Sequence, residues 1–305
     1  MKFLLSCLAT IAFSPTLLGQ TTPSTSIEFT EFNLENGLHV ILHEDHSTPI
    51  VAVTVMYHVG SKNEDPTKTG MAHFFEHLLF EGSENIERGE FDHYVENAGG
   101  VLNANTSQDR TFYYELLPSN QLELGLWLES ERMLHAKILQ IGIDTQNEVV
   151  KEEKRQRVDN QPYGSMIAET MDACYDVHPY QWTPIGSMAH LDAATHSDFM
   201  DFYNTFYVPN NATLSIAGDL NIDEAKKLVS KYFSDIPKGT KSIPRPTEVE
   251  PTRTEERRSI VYGKDRLPVV IQAYPIPAQG TPDYYAVDML NQVLSGGASS
   301  RLNKA

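Results

Sequence analysis

The segment MAHFFEHLLFEG, residues 71–82, carries three polar groups, His73, Glu76 and His77, inside an otherwise apolar run. Burying such groups without partners costs several kcal/mol, so their presence needs a reason. On a helix of about 3.6 residues per turn the three side chains share an arc of about 100°, and the two phenylalanines between them point away from it. Two imidazoles one turn apart can ligate one metal ion, and the intervening carboxylate can act on a bound water. The segment therefore predicts a metal-binding helix with the inverted H-x-x-E-H pattern.

A purely structural explanation of the same segment has to be weighed against this one. A single histidine on an apolar helix is usually a hydrogen-bonded core residue, but two histidines with a carboxylate between them would each need a buried partner. A metal site is therefore favoured. The stretch HEDH, residues 43–46, is a rival metal site, yet it follows a strand-like run and precedes Thr48-Pro49, which favours an exposed turn.

A catalytic zinc site needs a third protein ligand, and the helical stretch 142–158 carries three glutamates that could supply it. Glu153 falls between two valines on the apolar side of this helix, and Gln146 shares its face. Glu148 and Glu152 fall on the opposite side beside basic residues, which is typical of a solvated helix surface. Glu153 is thus the carboxylate that we expect to reach a buried site.

Composition and charge exclude several classes of protein. The chain has 305 residues, of which 40% are hydrophobic, so it can bury a core. Its 24 basic and 41 acidic residues give a formal charge of -17, which argues against binding to nucleic acid or to anionic membranes.

The N-terminus has the pattern of a secretory signal peptide. Lys2 is followed by an apolar run over residues 3–13, which is too short for a membrane span. We expect residues 1–20 to be removed and the protein to be secreted or periplasmic, without a stable membrane anchor. Cys174 would then be the only cysteine, so no internal disulfide is expected.

The remaining pattern mixes strands and helices and predicts an α+β fold. Asn36-Gly37 between two apolar runs indicates a hairpin, and Thr69 is a plausible cap for the histidine-rich helix. Strands are predicted at residues 51–59, 101–105, 111–117 and 212–218. Helices are predicted at residues 119–135, 142–158 and 195–205 and from about residue 223.

Composition also divides the chain into parts. Residues 25–236 form the predicted catalytic domain, and residues 237–258, rich in proline, threonine and charge, form a predicted linker. Beyond it, the strand-like PVVIQAYPI and the helix-like YYAVDMLNQVL begin a second domain over residues 259–305. That length is too short to complete a domain.

The segment HFFEH, with Glu153 placed 76 positions after His77, resembles the pitrilysin-type (M16) zinc metallopeptidases. The resemblance is strongest to the bacterial branch related to the mitochondrial processing peptidase, and it runs from about residue 27 to the end. Further stretches that carry it are YHVGSKNE, EHLLFEGSEN, GGVLNANTSQDRTFYYELLP, VVKEEKRQRVDNQPYG, HPYQWTPIGSMAHL and FYNTFYVPNNATLSIAGDL. It implies a mixed, mostly antiparallel sheet covered by helices.

The resemblance also implies a ligand set and a mechanism. One zinc ion per chain would be bound by His73, His77 and Glu153, with a water as the fourth ligand. Glu76 would be the general base of a zinc-dependent metalloendopeptidase that hydrolyses peptides or unfolded polypeptides. Gln146 stands where many relatives carry a second glutamate, and its amide can still hydrogen-bond around the ligands.

Substrate contacts follow from the same resemblance. Such peptidases hold a substrate as an added strand at a sheet edge, which assigns Asn103 and Ala104 to substrate contact. Their second domain supplies an arginine followed by a tyrosine near the metal. The run SGGASSRLNKA, residues 295–305, resembles the stretch just before that pair, so the chain is expected to be truncated there.

Two alternatives to an active peptidase stay open. One is a non-cleaving or partner-dependent subunit that binds zinc and peptide, either as a homodimer or with a related chain. The other is a zinc-buffering protein, which rests on the 11 histidines and would hold several ions.

Overall fold

Six strands form one mixed sheet in the first part of the chain. The computed structural model describes residues 26–263 and 267–305, and the predicted signal peptide lies outside the described residues. The strands are β1 (Thr30–Asn33), β2 (His39–Glu44), β3 (Ile50–Tyr57), β4 (Val101–Thr106), β5 (Thr111–Pro118) and β6 (Ala212–Gly218). Their order is β1-β2-β6-β3-β5-β4, and only β2 and β6 run parallel. This mostly antiparallel sheet, together with the helices, confirms the α+β fold class.

Ten helices accompany the sheet in the described residues. They are α1 (Met71–Leu78), α2 (Phe91–Asn97), α3 (Leu122–Leu134), α4 (Gln140–Lys154), α5 (Met166–Cys174), α6 (Met188–Ala193), α7 (His196–Phe206), α8 (Ile222–Phe233), α9 (Pro282–Ser295) and α10 (Arg301–Lys304). A π-helical turn, Arg155–Asp159, continues α4. The four predicted strands and four helices agree with these bounds to within a few residues, whereas α2, α5 and α6 were not predicted. Within the described part of the chain, no helix has the length and apolar character needed to cross a bilayer.

The central strand β3 shows why the sheet forms where it does. Its β-branched residues Val51, Val53 and Val55 are fully buried, and the residues between them face the other side of the sheet. Since side chains alternate along a strand, one face of β3 is committed to the core and its register is fixed. Strands β5 and β6 flank it on either side.

The predicted hairpin turn is confirmed between β1 and β2. Gly37 adopts φ +90°, a conformation that favours glycine. The Asn36 side chain donates hydrogen bonds to the carbonyl groups of Phe233 and Ile236 at 2.8 and 2.9 Å. The turn is therefore tied to the end of α8, and this tie buries the asparagine.

The expected Thr69 cap on α1 is wrong. The helix begins after Gly70, whose φ of +99° takes the chain through a left-handed turn. The buried carboxylate of Glu64 accepts hydrogen bonds from the backbone N–H groups of Gly70 and Ala72 at 2.9 and 2.8 Å. The Thr69 hydroxyl instead lies 2.9 Å from His190 Nδ1. The Glu64 side chain of the preceding loop thus accepts from two N–H groups that the first turn of α1 leaves without a helical partner, while burial raises its pKa to about 8.

The two phenylalanines of α1 anchor the helix against the core. Phe74 and Phe75 are fully buried. Phe74 packs against Phe199 of α7 with ring centroids 4.9 Å apart, and the Tyr113 hydroxyl of β5 donates to the Phe75 carbonyl at 2.9 Å. Because these contacts fix one side of α1 between α7 and β5, the polar side that carries the histidines points away from the core.

The predicted linker follows the surface of the sheet-containing part. Residues 237–258 contain no helix or strand. Arg245 donates to the carbonyl of His58 at 2.6 Å, and the Glu250 carboxylate accepts from three consecutive N–H groups of residues 176–178 at 2.9 to 3.0 Å. These contacts attach the segment at two points. The domain boundaries themselves stay a prediction.

The strand expected at residues 268–276 is not formed, whereas the helix expected after it is α9. Val270 is 83% and Tyr274 74% exposed. A strand needs a neighbour for its backbone hydrogen bonds, and no strand pairs with this segment among the residues that the structure describes. The segment has the apolar pattern of a strand, but no neighbouring strand pairs with its backbone in the described residues.

Asp198 provides a test of pH-dependent stability. It forms a capping box with Thr195 at the start of α7 and an ion pair with Lys68 at 2.6 Å. The Lys68 hydrogen bond, followed by those from Thr195, lowers the pKa of Asp198 to about 2. A lowered pKa means stability that is present above the unfolded value of 3.8 and lost as the pH falls toward 2.

We therefore expect Asp198→Asn to lose less stability than the wild type between pH 5 and pH 2.5. The difference should be about 1 kcal/mol or less, because Lys68 is 45% exposed and solvent screens the pair. Urea unfolding at the two pH values measures it. If the wild type and Asp198→Asn lost the same free energy of unfolding between the two pH values, the role given to the Asp198–Lys68 ion pair would be contradicted.

Candidate metal centre

Three predicted ligands meet at one point between α1 and α4. The Nε2 atoms of His73 and His77 lie 3.5 and 3.1 Å from Oε2 of Glu153. All three candidate ligand atoms lie within 4.8 Å of one another. His73 is buried, and His77 and Glu153 are partly buried. In residues 26–263 and 267–305 this is the one group of three or more such side chains that could hold a metal ion.

The donor set fits a zinc ion. Ligand atoms on a tetrahedral zinc with bonds of about 2.0–2.2 Å lie roughly 3.3–3.6 Å apart, and the separations of 3.5 and 3.1 Å are close to this range. Two buried atoms here, Nδ1 of His73 and Oε2 of Glu153, lack a well-formed hydrogen bond in the described structure. The imidazoles of His73 and then His77 hold the pKa of Glu153 well below its usual value. The carboxylate is therefore ionised, as a metal ligand must be.

The helical wheel placed the glutamates of α4 correctly but misplaced one valine. The side chains of Glu148 and Glu152 are 71% and 51% exposed and pair with Lys151 and Arg155 at 3.2 and 2.7 Å. Val149, expected to face inward, is 42% exposed. The wheel describes one helix in isolation, whereas its burial depends on which neighbours cover it.

Glu76 faces a cleft beside the three candidate ligands. Its Oε2 accepts a hydrogen bond from the Thr106 hydroxyl at 2.6 Å. The cleft has a volume of about 270 Å³ and is lined by Glu76, His77, Phe80, Asp92, Leu102, Asn103 and Ala104. The carboxylate is thus held at one oxygen by a residue of β4. Sequence reasoning missed Thr106 because it lies 30 positions away along the chain.

The two residues expected to contact substrate lie on a sheet edge. Strand β4 is the outermost strand beyond β5, and Asn103 and Ala104 line the cleft. The Asn103 side chain is exposed and accepts a hydrogen bond from the Ala104 N–H at 2.8 Å. An edge strand presents unpaired backbone groups that an extended peptide can join. Their contact with substrate stays a prediction.

Gln146 contacts Glu81, the fourth residue after His77. Its Nε2 donates to Oε1 of Glu81 at 2.5 Å, and Arg88 pairs with the same carboxylate. The Glu81 side chain is only 7% exposed. A neutral amide at position 146 donates to this buried carboxylate, which a second glutamate could not do without first taking up a proton. The assignment of Gln146 to the surroundings of the metal ligands stays a prediction.

We expect Gln146→Glu to destabilise the protein by about 1–3 kcal/mol at pH 7, because it sets two carboxylates against each other in a mostly buried place. The penalty should shrink as the pH falls and one carboxylate is protonated. Urea unfolding measures both effects. The double variant Gln146→Glu/Glu81→Gln reverses the polarity of the pair and should recover stability, and a double variant as unstable as the single one would refute this explanation.

The rival stretch HEDH has partners of its own. Nδ1 of His43 lies 2.7 Å from the Glu28 carbonyl, and His46 lies between Asp219 and Glu44 at 2.6 and 2.8 Å. These side chains form no three-ligand cluster among the described residues. Neither HEDH nor a zinc-buffering role gains support from the arrangement.

Comparison with known proteins adds an independent line of evidence. Residues 39–181 match a family model described as insulinase (peptidase family M16), and residues 193–305 match one described as the peptidase M16 inactive domain. The second match begins before β6, so it includes a strand of the sheet described above.

Relatives and solved structures agree with the family models. The zinc protease PqqE of Helicobacter pylori is 37% identical over 273 residues, covering 88% of this chain and 61% of the relative. A crystal structure of a protease from Helicobacter pylori superposes with a TM-score of 0.85 at 34% identity, covering 92% of this chain and 68% of that one. The periplasmic protease PqqL from Escherichia coli superposes with a TM-score of 0.66 at 26% identity, covering 74% and 25%.

The chain thus spans about 61% of the length of its curated relative PqqE. Three findings indicate the same family. They are the fold, the two family models, and a solved structure that is 34% identical and covered over 68% of its length. The chain belongs to peptidase family M16.

Proposed function

We propose that this chain carries the catalytic site of a zinc-dependent metalloendopeptidase that hydrolyses peptides or unfolded polypeptides. The observation that carries the proposal is the meeting of His73, His77 and Glu153 beside Glu76 and a cleft. Membership of family M16 and the zinc proteases among its relatives support it.

One zinc ion per chain would be held by His73, His77 and Glu153. When bound, zinc supplies a coordinated water with a pKa of about 7 and a positive charge that polarises a carbonyl group. Two neutral imidazoles and one carboxylate leave that positive charge only partly neutralised. Three protein ligands also leave a fourth position free for water or substrate.

Glu76 is the group that would take the proton in this site. The Thr106 hydroxyl donates to its Oε2, which leaves Oε1 to accept a proton from water in the cleft. The hydrogen bond restricts rotation of the carboxylate, so the accepting oxygen keeps its direction. Thr106 would therefore orient the base without taking part in proton transfer.

The edge strand β4 would bind substrate as an added strand. Asn103 and Ala104 lie where such a strand would pass the cleft, and Phe80 and Leu102 offer apolar contact to its side chains. A segment must be extended to pair with a sheet edge. We therefore propose peptides and unfolded chains, rather than folded proteins, as substrates.

A secreted or periplasmic location is part of the proposal. The signal-peptide pattern of residues 1–20 supports it, and the similar protein PqqL is described as a periplasmic protease. The highly acidic composition gives no reason to expect an anionic membrane as a partner.

A partner-dependent subunit is the second candidate function. Residues beyond 259 expose large apolar side chains, such as Tyr262 at 92%, Val270 at 83% and Leu302 at 67%. Exposed apolar surface of this extent marks a face that another chain or segment covers. In this case zinc and peptide would bind, but cleavage would need a related partner or a second copy.

The test is cleavage of quenched peptides by this chain, with zinc, with a chelator and after zinc is restored. Cleavage that the chelator abolishes and zinc restores would support the peptidase. One bound zinc per chain without cleavage would support the partner-dependent alternative. Failure to bind zinc would exclude both.

A further inference from the structure

Arg157 contacts the candidate third ligand, Glu153, through the carboxylate oxygen that does not face the histidines. Its Nη1 lies 2.6 Å from Oε1 of Glu153, whereas Oε2 of the same carboxylate faces the Nε2 atoms of His73 and His77. The Glu153 side chain is 13% exposed and that of Arg157 is 75% exposed. Each oxygen of the carboxylate thus has its own neighbours.

We propose that Arg157 is a positioning residue that holds Glu153 so that a single oxygen, Oε2, is presented to zinc. This inference rests on the proposed zinc-peptidase function. The terminal torsion of a glutamate is broad, so the carboxylate could otherwise turn and offer both oxygens. The ion pair between Oε1 and the Arg157 guanidinium, at 2.6 Å, opposes that rotation.

Ligation through one oxygen matters because of the position it leaves open. A catalytic zinc needs three protein ligands and a free fourth position for water. If Glu153 ligated through both oxygens, its second oxygen would compete for that position. Arg157 occupies Oε1 and so keeps it from the ion.

The backbone places Arg157 for this role. Helix α4 ends at Lys154, directly after Glu153, and the π-helical turn Arg155–Asp159 follows. Such turns are rare and frequently occur at functional sites. The same turn provides a matched control, since Arg155 pairs with the exposed Glu152 at 2.7 Å on the outer side of the helix.

The sign of the change in zinc affinity on removal of Arg157 distinguishes two effects of this residue, the positioning of Glu153 and the electrostatic repulsion of zinc. Arg157 is a cation next to a site for a cation, so its charge alone opposes zinc binding. Removing it would tighten zinc binding if charge dominated. Removing it would weaken zinc binding if it positions Glu153, and loss of such a supporting contact typically costs about 10–100-fold in affinity.

The experiment measures zinc affinity by competition with a coloured chelator for the wild type, Arg157→Ala, Arg157→Lys and Arg155→Ala. We expect Arg157→Ala to bind zinc about 10–100-fold more weakly. Arg157→Lys, which keeps a charged donor, should recover part of the loss, and Arg155→Ala should bind as the wild type does. In the cobalt-substituted proteins, the visible spectrum of Arg157→Ala should shift toward a higher coordination number.

Three results would overturn the proposal: Arg157→Ala binding zinc as tightly as the wild type, Arg157→Ala binding it more tightly, or Arg155→Ala being weakened equally. Thermal unfolding of the metal-free proteins checks that the variants fold, which is expected because Arg157 is exposed. A wild-type protein that binds zinc without cleaving peptides would count against the proposed function, yet this comparison would still decide the role of Arg157. A wild-type protein that binds no zinc would refute both.

Discussion

Replacing Glu76 with glutamine is expected to lower peptide cleavage by about 10²–10⁴-fold, the range that general-base catalysis contributes, while zinc binding stays normal. Glutamine has nearly the same shape, and its carbonyl oxygen can still accept the hydrogen bond from Thr106. It cannot accept a proton from water. The variant thus removes the proposed proton transfer and keeps the architecture of the cleft.

The measurement is kcat/KM on a quenched peptide together with the number of zinc ions bound per chain. Glu148→Gln is the matched control, because Glu148 lies on the exposed side of α4 with its side chain 71% exposed. It should cleave as the wild type does. A Glu76→Gln variant with one zinc and undiminished cleavage would exclude Glu76 as the base.

Arg132→Met is expected to destabilise the protein by about 3–5 kcal/mol, the cost of leaving a buried charge unpaired. The side chains of Arg132, Glu115 and Glu129 are all fully buried. The guanidinium donates to Oε1 of Glu129 and to the carbonyl of Leu79, both at 3.0 Å. It also lies over the rings of Phe80, Phe91 and Tyr113 at 4.2 to 4.4 Å from their centroids. Methionine would fill the space but leave Glu129 without its counter-charge.

The second carboxylate of the cluster provides the control. Burial, followed by the nearby charge of Glu129, raises the pKa of Glu115 well above its usual value, which favours the neutral form of this side chain. Glu115→Gln mimics this neutral form with nearly the same shape and should cost less than about 1 kcal/mol. Urea unfolding at pH 7 compares the two variants. If Arg132→Met and Glu115→Gln lowered the free energy of unfolding equally, the assignment of the buried ion pair to Arg132 and Glu129 would be contradicted.

The cluster of Arg132, Glu115 and Glu129 also contacts the end of α1, the helix that carries two of the candidate zinc ligands. Leu79 follows the last residue of α1, and Phe80 lines the cleft beside Glu76. Arg132 therefore holds the end of the helix that carries His77. A milder variant, Arg132→Lys, should weaken zinc binding if this contact positions the helix.

Many features of the fold follow from local patterns in the sequence. Alternation of β-branched residues predicted β3, and the run ATLSIAG predicted β6 with its observed bounds, Ala212–Gly218. Helical periodicity placed His73, Glu76 and His77 on one face and Glu153 on the inner side of α4. These features were predictable because side-chain direction repeats with the period of the element, whatever lies around it.

Other features were not predictable because they join segments that are distant in the sequence. Glu64, rather than Thr69, caps α1, and Gln146 donates to Glu81. Residues 268–276 have a strand-like pattern but form no strand, since a strand exists only beside another. Local periodicity sets which way a side chain points, but only the packed chain decides what it meets.

The same division holds at the candidate site. The sequence by itself predicted the types of the candidate ligands and their spacing on two helices, and it determined the acidic character of the chain. The tertiary structure alone decided that the two helices bring Nε2 of His77 within 3.1 Å of Glu153. It also decided that Thr106 holds Glu76 and that Arg157 holds the other oxygen of Glu153. The physical reason is that hydrogen bonds depend on distances of a few tenths of an ångström, which only the packing of whole elements sets.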